Sequence, residues 1–274
     1  MAFLPLRPVP LPGAVHAHNQ TWLEGVAQAL DDPDTDRNEF CRDLLTAVYY
    51  PHLAAVDPDT LPPATRVALD QMDPRNVTLE PEYYAEVDQE RYAPVKPLLW
   101  LWEMFDRSPM GENVDLGIRF RRILAGKVFK RCGKNFKAFP FVRLSFGYNL
   151  EVGDNVVIHR HVLLDDRGGI RIGNGASVSD FANVYSHSHN IVDGRIVYTP
   201  QTVLEDGVRV TYHATILAGV NVAAGSMVGT SAVVTKNTLP HTVHVGVPAR
   251  PVKEKPADER ARKAPPTGDP LAEG

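Results

Sequence analysis

Between Phe146 and Val234 a large apolar residue returns at every sixth position, a spacing that few folds accept. The first run is Phe146, Val152, Ile158 and Leu164. After a two-residue shift at Gly168 and Gly169 come Ile172, Val178 and Val184. A longer interruption, roughly 190–203, precedes Leu204, Val210, Ile216, Val222, Val228 and Val234. All thirteen positions hold an aliphatic residue or Phe, where ordinary chains place one at about one position in three. Helices repeat every 3.6 residues and half-buried strands every two, so neither keeps a six-residue phase. The fourth residue onward is usually small, as at Ala176, Ala182, Ser188, Ala214, Ser226 and Ala232. Glycine directly follows the repeat position at Gly147, Gly153, Gly173 and Gly229. Each hexad reads as a short strand plus a corner, and three hexads close a triangular coil. Stacked coils share backbone hydrogen bonds, giving a parallel β-helix. Thirteen hexads predict about four coils.

The flanks have another character. In residues 1–137, Thr21 followed by Glu24 gives a capping-box pattern. Trp22, Val26 and Leu30 then share a helical face, as do Phe40, Leu44, Leu45 and Val48 in the next segment. The reading is a helical N-terminal region (1–137), a β-helix domain (138–253) and a polar, proline-rich tail (254–274) expected to be disordered. The fold class is thus mainly β with α. The stretch 119–137 carries eight Lys or Arg and no acid. It reads either as a docking face for an anionic lipid or lipid-linked sugar, or as a helix capping the open end of the coil with its charges solvated.

Composition excludes several classes. A net charge of −4 gives no reason to expect nucleic acid or a membrane surface as partner. Two cysteines, Cys41 and Cys132, make neither a zinc motif nor a disulfide framework, and the default is a reducing cytoplasm. Prolines interrupt the apolar N-terminus, unlike a signal peptide. The longest other apolar stretch, 97–105, is too short to cross a bilayer.

"VYSHSHN" (184–190) holds two histidines at the edge of the interruption. With Val184 inward, His187 and His189 are the fourth and sixth residues of the hexad and face outward. Position alone leaves a chemical role and a passive surface role equally open.

The segment 141–253 resembles the left-handed β-helix acyltransferases of the hexapeptide-repeat family, and within it the maltose and galactoside O-acetyltransferases. The resemblance rests on "FGYNLEVGDNVVI", "IRIGNGASVSDFANVYSHSHN", "ILAGVNVAAGSMVGTSAVVTKNTLP" and "VGVPARPVK". It covers about 113 of 274 residues, and the helical region carries no motif of the family. It implies a left-handed coil, a homotrimer with active sites between subunits, and acetyl-CoA or another acyl-CoA as co-substrate. It implies direct transfer to a sugar hydroxyl, without metal, and His189 as the general base. The oxyanion donor maps to the amide of Tyr212. Contacts to CoA map to Ala218, Thr230, Thr235, Lys236, Arg250 and Lys253, and acceptor contacts to His159 and Asp166, with His187 beside them. Arg209 and Arg167 depart from the family pattern, an aromatic and an acid respectively.

Two other readings compete. A γ-class carbonic anhydrase shares the coil and binds zinc through histidines, for which His159, His161, His187, His189 and His213 are candidates. Its glycine–histidine pattern is absent, and the CoA-end motif has no use there. The third reading is a β-helix that only binds or scaffolds, with the helical region as partner module.

Overall fold

A computed structural model describes residues 9–256, so residues 257–274 of the expected tail lie outside the described residues. The chain opens with helices α1 (Gly13–Asp31), α2 (Arg37–Tyr49), α3 (Pro63–Asp70), α4 (Gln89–Tyr92), α5 (Lys96–Asp106), α6 (Pro109–Glu112) and α7 (Val114–Val128). Helix α1 starts at Gly13, directly after Pro12, and not at Thr21. The capping-box pair falls inside it because the helix-compatible stretch from Gly13 to Gln20 contains no breaker. Asp36 caps α2 by accepting from the amides of Asn38 and Glu39. Of the residues that the periodicity places on these faces, Val26, Leu30 and Leu45 are buried and Trp22, Phe40 and Leu44 are partly buried against the same core, while Leu23, which it does not pick out, is buried as well.

Three parallel faces follow. The first holds Arg131–Cys132, Leu150–Val152, Ile170–Ile172, Thr202–Leu204 and Asn221–Val222. The second holds Lys137–Ala138, Val157–Ile158, Ser177–Val178, Arg209–Val210, Met227–Val228 and Thr242–Val245, with Arg250–Glu254 added antiparallel at its end. The third holds Arg143–Leu144, Leu163–Asp165, Asn183–Tyr185, Thr215–Ile216 and Val233–Val234. The result is a helical N-terminal region followed by a parallel β-helix. The coil exceeds the expected four turns because strands at 131–144 and 242–245 extend it at both ends, the first starting upstream of residue 138.

All thirteen repeat positions are at most 2% exposed. Phe146, however, is not on a strand; Leu144 occupies that station, eight residues before Val152. Early coils pair residues 20 apart (Arg131 with Glu151, Lys137 with Val157) and late coils residues 18 apart (Arg209 with Met227, Thr215 with Val233). The early coils therefore carry a two-residue extension at the corner after the third face.

That corner explains the glycine pair. A Cβ on Gly168 would lie 2.3 Å from the Ser186 carbonyl oxygen and 2.4 Å from that of Thr199. The backbone passes beneath the neck of the projecting loop, where only glycine fits. We expect Gly168→Ala to push the neck outward, at a cost of roughly 1–3 kcal/mol. Urea unfolding, with hydrogen exchange over 186–201, checks this; an unchanged neck contradicts it.

At most inward stations the residue three positions earlier turns a left-handed corner. Asn135, Phe141, Asn155, His161, Phe181, His213, Ser231 and His241 all have φ between 53° and 65°. Such a conformation costs an L-residue roughly 1–2 kcal/mol. Four of these residues recover part of that cost as a column of stacked rings, Phe141–His161–Phe181–His213, with centroids 4.8–5.0 Å apart. His161 and His213 are rungs of this column.

Helix α7 closes the open end of the coil. Leu124 and Val128 join Phe129 and Phe136 in a core continuous with the coil interior. The basic stretch is largely consumed within the chain. Arg119 pairs with Asp115, Arg121 with Asp106, Lys127 with Asp31 and Lys130 with Glu151, while Arg122 donates to the Phe136 carbonyl. These partners favour the capping reading over a lipid-docking face. Among the described residues no helix is long and apolar enough to cross a membrane.

Candidate active site

The chain leaves the coil earlier than residue 190. Ser186 is fully buried, its amide donating to the Asp165 carbonyl at 3.0 Å and its hydroxyl to the same oxygen at 2.5 Å. Beyond it, Ser188–His189 pairs antiparallel with Val197–Tyr198. Ser188 is therefore an exposed residue of the loop stem and not the small corner residue expected. The loop returns through Thr202, whose buried hydroxyl donates to the Tyr185 carbonyl.

His189 sits on this stem, exposed, with Nδ1 2.7 Å from the Gly194 carbonyl oxygen. A carbonyl only accepts, so Nδ1 carries the proton and Nε2 presents a lone pair. His187 is held differently, its Nδ1 against Oδ2 of Asp165. The two imidazoles meet edge to face at 5.4 Å. Each is thus fixed in one orientation, by a backbone acceptor in one case and a carboxylate in the other.

Asp165 was not singled out from the sequence; its neighbour Asp166 was. Strand alternation turns Leu164 inward and Asp165 outward, where it meets His187 and accepts from Ser145 Oγ at 2.8 Å. Asp166 then turns into the wide corner. It is fully buried and accepts from the amides of Phe146 (2.7 Å) and Asn149 (3.1 Å). It clamps the corner, with both oxygens occupied by backbone amides of this chain. The signal available in the sequence was the phase itself, since Asp165 directly follows an inward residue.

Burial pushes the Asp166 carboxyl up to about 6, against the backbone amides that favour its charge. A carboxyl with a raised folded value binds more protons when folded, so its contribution is greatest at low pH and is lost as pH rises through about 6. We expect the stability of the chain to fall by up to about 3 kcal/mol between pH 4 and 7 from this group. Urea titrations of the native chain and Asp166→Asn check it, the variant lacking that component; equal pH profiles contradict it.

His159 lies at the end of a second-face strand, stacked on Phe139 at 5.0 Å, one corner away from His187 and His189. Burial lowers its pKa, with Asp180 acting against that. Within one chain it does not join the two loop histidines. Arg167, the departure from the family's acid, is buried, bonded through Nε to Glu86 at 2.6 Å and lying 3.9 Å over the Tyr84 ring. Among the described residues no group of three or more His, Cys, Asp and Glu is placed to hold a metal ion.

The remaining candidates lie on the later coils. Tyr212 is an exposed corner residue on the coil after His187, and among the described residues its amide has no acceptor. Arg209 is also exposed, on the second-face strand before it. Ala218 is half-buried, and Thr230 is exposed with its hydroxyl 3.4 Å from that of Thr211. Thr235, Lys236, Arg250 and Lys253 are exposed at the far end of the coil. Among the described residues none of these three cations has a carboxylate partner; Arg250 donates only to the Ala249 carbonyl. Three uncompensated cations at one end of the coil suit a polyphosphate.

No family profile matches the chain. Galactoside O-acetyltransferase of Escherichia coli (strain K12) is 26% identical over 138 residues, which are 49% of this chain and 68% of that protein. The structure of a maltose O-acetyltransferase from Clostridium difficile 630 is 26% identical, with a TM-score of 0.54 over 63% of this chain and 91% of its own. A hexapeptide-repeat acetyltransferase of Vibrio cholerae, complexed with acetyl coenzyme A, shares the fold at 24% identity and a TM-score of 0.53, covering 63% and 90% of the two chains.

Proposed function

We propose that the chain is an acyltransferase of the hexapeptide-repeat family that moves an acetyl or related acyl group from acyl-CoA to a sugar hydroxyl, with His189 as general base. The observation that carries this reading is the bond from His189 Nδ1 to Gly194, which in the neutral ring puts the lone pair on Nε2, on a stem tied to the coil. A hydroxyl is a poor nucleophile at neutral pH. Nε2 takes its proton as the oxygen attacks the thioester carbonyl, and a carbon–oxygen bond forms. The Tyr212 amide donates to the resulting oxyanion. Collapse breaks the carbon–sulfur bond, and the proton on Nε2 passes to the departing thiolate of CoA. No acyl-enzyme is needed. Burial raises both thiols, Cys41 and Cys132, the latter to about 11, which disfavours a thiolate nucleophile.

Lys236, Arg250 and Lys253 hold the phosphates of CoA, with Thr235 beside them, and Ala218 and Thr230 flank the pantetheine arm. The assembly is a homotrimer, in which a neighbouring subunit brings its own His159 toward the acceptor.

Paired substitution Lys236→Ala with Lys253→Ala tests the CoA end. We expect KM for acetyl-CoA to rise about tenfold or more with kcat little changed, because these charges bind ground and transition states alike. The effect shrinks at high salt. An unchanged KM at low salt contradicts the assignment.

A further inference from the structure

The geometry points to a second half of the site. We infer that the cleft between the helical region and the third face of the coil is the acceptor pocket, and that it takes an uncharged or ammonium-bearing sugar in preference to a phosphorylated one. This rests on the acyltransferase reading above and gives the helical region its role.

The cleft has a volume of about 490 Å³, in the range of small-molecule sites. Its coil wall is Ser145, Asp165, Tyr185 and His187; the opposite wall is the segment 78–81, Tyr84, Trp100 and Glu103. It thus ends at His187, whose ring centre is 5.4 Å from that of the candidate base His189. A second cavity lies on the first face, around Glu151, Arg171 and Glu205, away from both loop histidines.

Two features of the lining select a ligand. The first is aromatic. Trp100 is fixed by its Nε1, which donates to the Gln71 carbonyl at 2.9 Å, and Tyr185 stands edge-on to His187. Rigid rings of this kind accept the C–H face of a sugar while its hydroxyls reach polar groups. The second is charge. Three carboxylates, Glu80, Glu103 and Asp165, line the cleft against one guanidinium, Arg143, which is itself 2.5 Å from Glu103. Arg107 lies 3.8 Å from the same Glu103 carboxylate, and Arg167 is engaged by Glu86 behind the Tyr84 ring, so both are already paired. A phosphate entering here meets like charge with no unpaired cation to receive it. A hydroxyl or ammonium meets acceptors.

His187 is the positioning residue. Asp165 accepts its Nδ1 proton and so fixes the ring, leaving Nε2 free to hydrogen-bond the sugar. With His189 taking the reacting hydroxyl, the two rings hold two groups of one molecule, which fixes the attack direction.

The test uses the full chain with glucose, glucosamine and glucose 6-phosphate as probes. Binding is read first without CoA, by quenching of tryptophan fluorescence, in the native chain and in Trp100→Phe with the fold checked by circular dichroism. We expect glucosamine or glucose to quench the native chain, the signal to vanish in Trp100→Phe, and glucose 6-phosphate to bind at least tenfold more weakly. Acetyl transfer is then measured. His187→Asn and Glu103→Gln raise the acceptor KM tenfold or more and leave KM for acetyl-CoA unchanged. Preference for the phosphorylated sugar, absence of quenching by all three, or an unmoved acceptor KM in both variants overturns the proposal. Failure of the acyltransferase reading looks different: calorimetry then shows no acetyl-CoA binding, whatever the sugars do.

Discussion

His189→Ala loses acyl transfer, by roughly 10²–10⁴-fold in kcat, while the coil stays folded and acetyl-CoA still binds. The loss is that expected for removing one general base. Folding is spared because His189 is exposed, on a stem whose contact with the coil runs through Ser186 and Thr202 and not through the imidazole. His189→Gln keeps a polar group of similar reach but cannot take the proton, so it fails as well. His187→Asn behaves otherwise, since Asp165 and His187 orient an acceptor: its loss lies mainly in the acceptor KM. Coenzyme A release from acetyl-CoA, measured over an acceptor panel, separates the two. If His189→Ala keeps native turnover, the base has been assigned to the wrong ring.

The second large effect is structural. Arg121→Met destabilises the chain by about 3–5 kcal/mol, because it strands a charge that burial already disfavours. Arg121 is fully buried and bonds Asp106 through Nε at 2.6 Å, the Gly111 carbonyl at 2.5 Å and the Ala138 carbonyl at 3.1 Å. Asp106 in turn accepts from the Phe141 amide at 2.6 Å. Burial raises the Asp106 carboxyl and lowers the Arg121 guanidinium, and each holds the other charged. The pair ties α5 and α7 to the first coil, so the helical region loosens first. Replacing both, Arg121→Met with Asp106→Leu, recovers much of the loss, because no bare carboxylate remains. Urea midpoints of the single and double variants decide this. A single variant within about 1 kcal/mol of the native chain contradicts it.

What the sequence made legible follows from period. Six-residue spacing placed the inward strand residue of each hexad from Val152 to Val234, because those positions line the apolar axis of the coil; it did not pick out further buried residues such as Val156, Val162, Ile170 and Val208. It misplaced Phe146, since a corner extended by two residues mimics the hexad phase when the residue happens to be apolar. The same extension hid the distinction between Asp165 and Asp166: adjacent letters, one facing the cleft and one clamping the corner. Helix α1 began at Gly13 because nothing before Thr21 stops a helix once Pro12 has passed. The corner column of Phe141, His161, Phe181 and His213 was invisible as such, being spaced by whole coils of 20 and 32 residues. The cleft could not be read at all. It needs segment 78–84 and α5 laid against the third face, a long-range contact that no local pattern encodes.

The most direct measurement follows a labelled acetyl group from acetyl-CoA, using mass spectrometry of the acceptor and of the intact protein. The account predicts label on a sugar hydroxyl oxygen, free CoA in equal amount, and no mass increase on the protein. Label retained on the chain, or released only as acetate with every acceptor, would contradict direct transfer by His189.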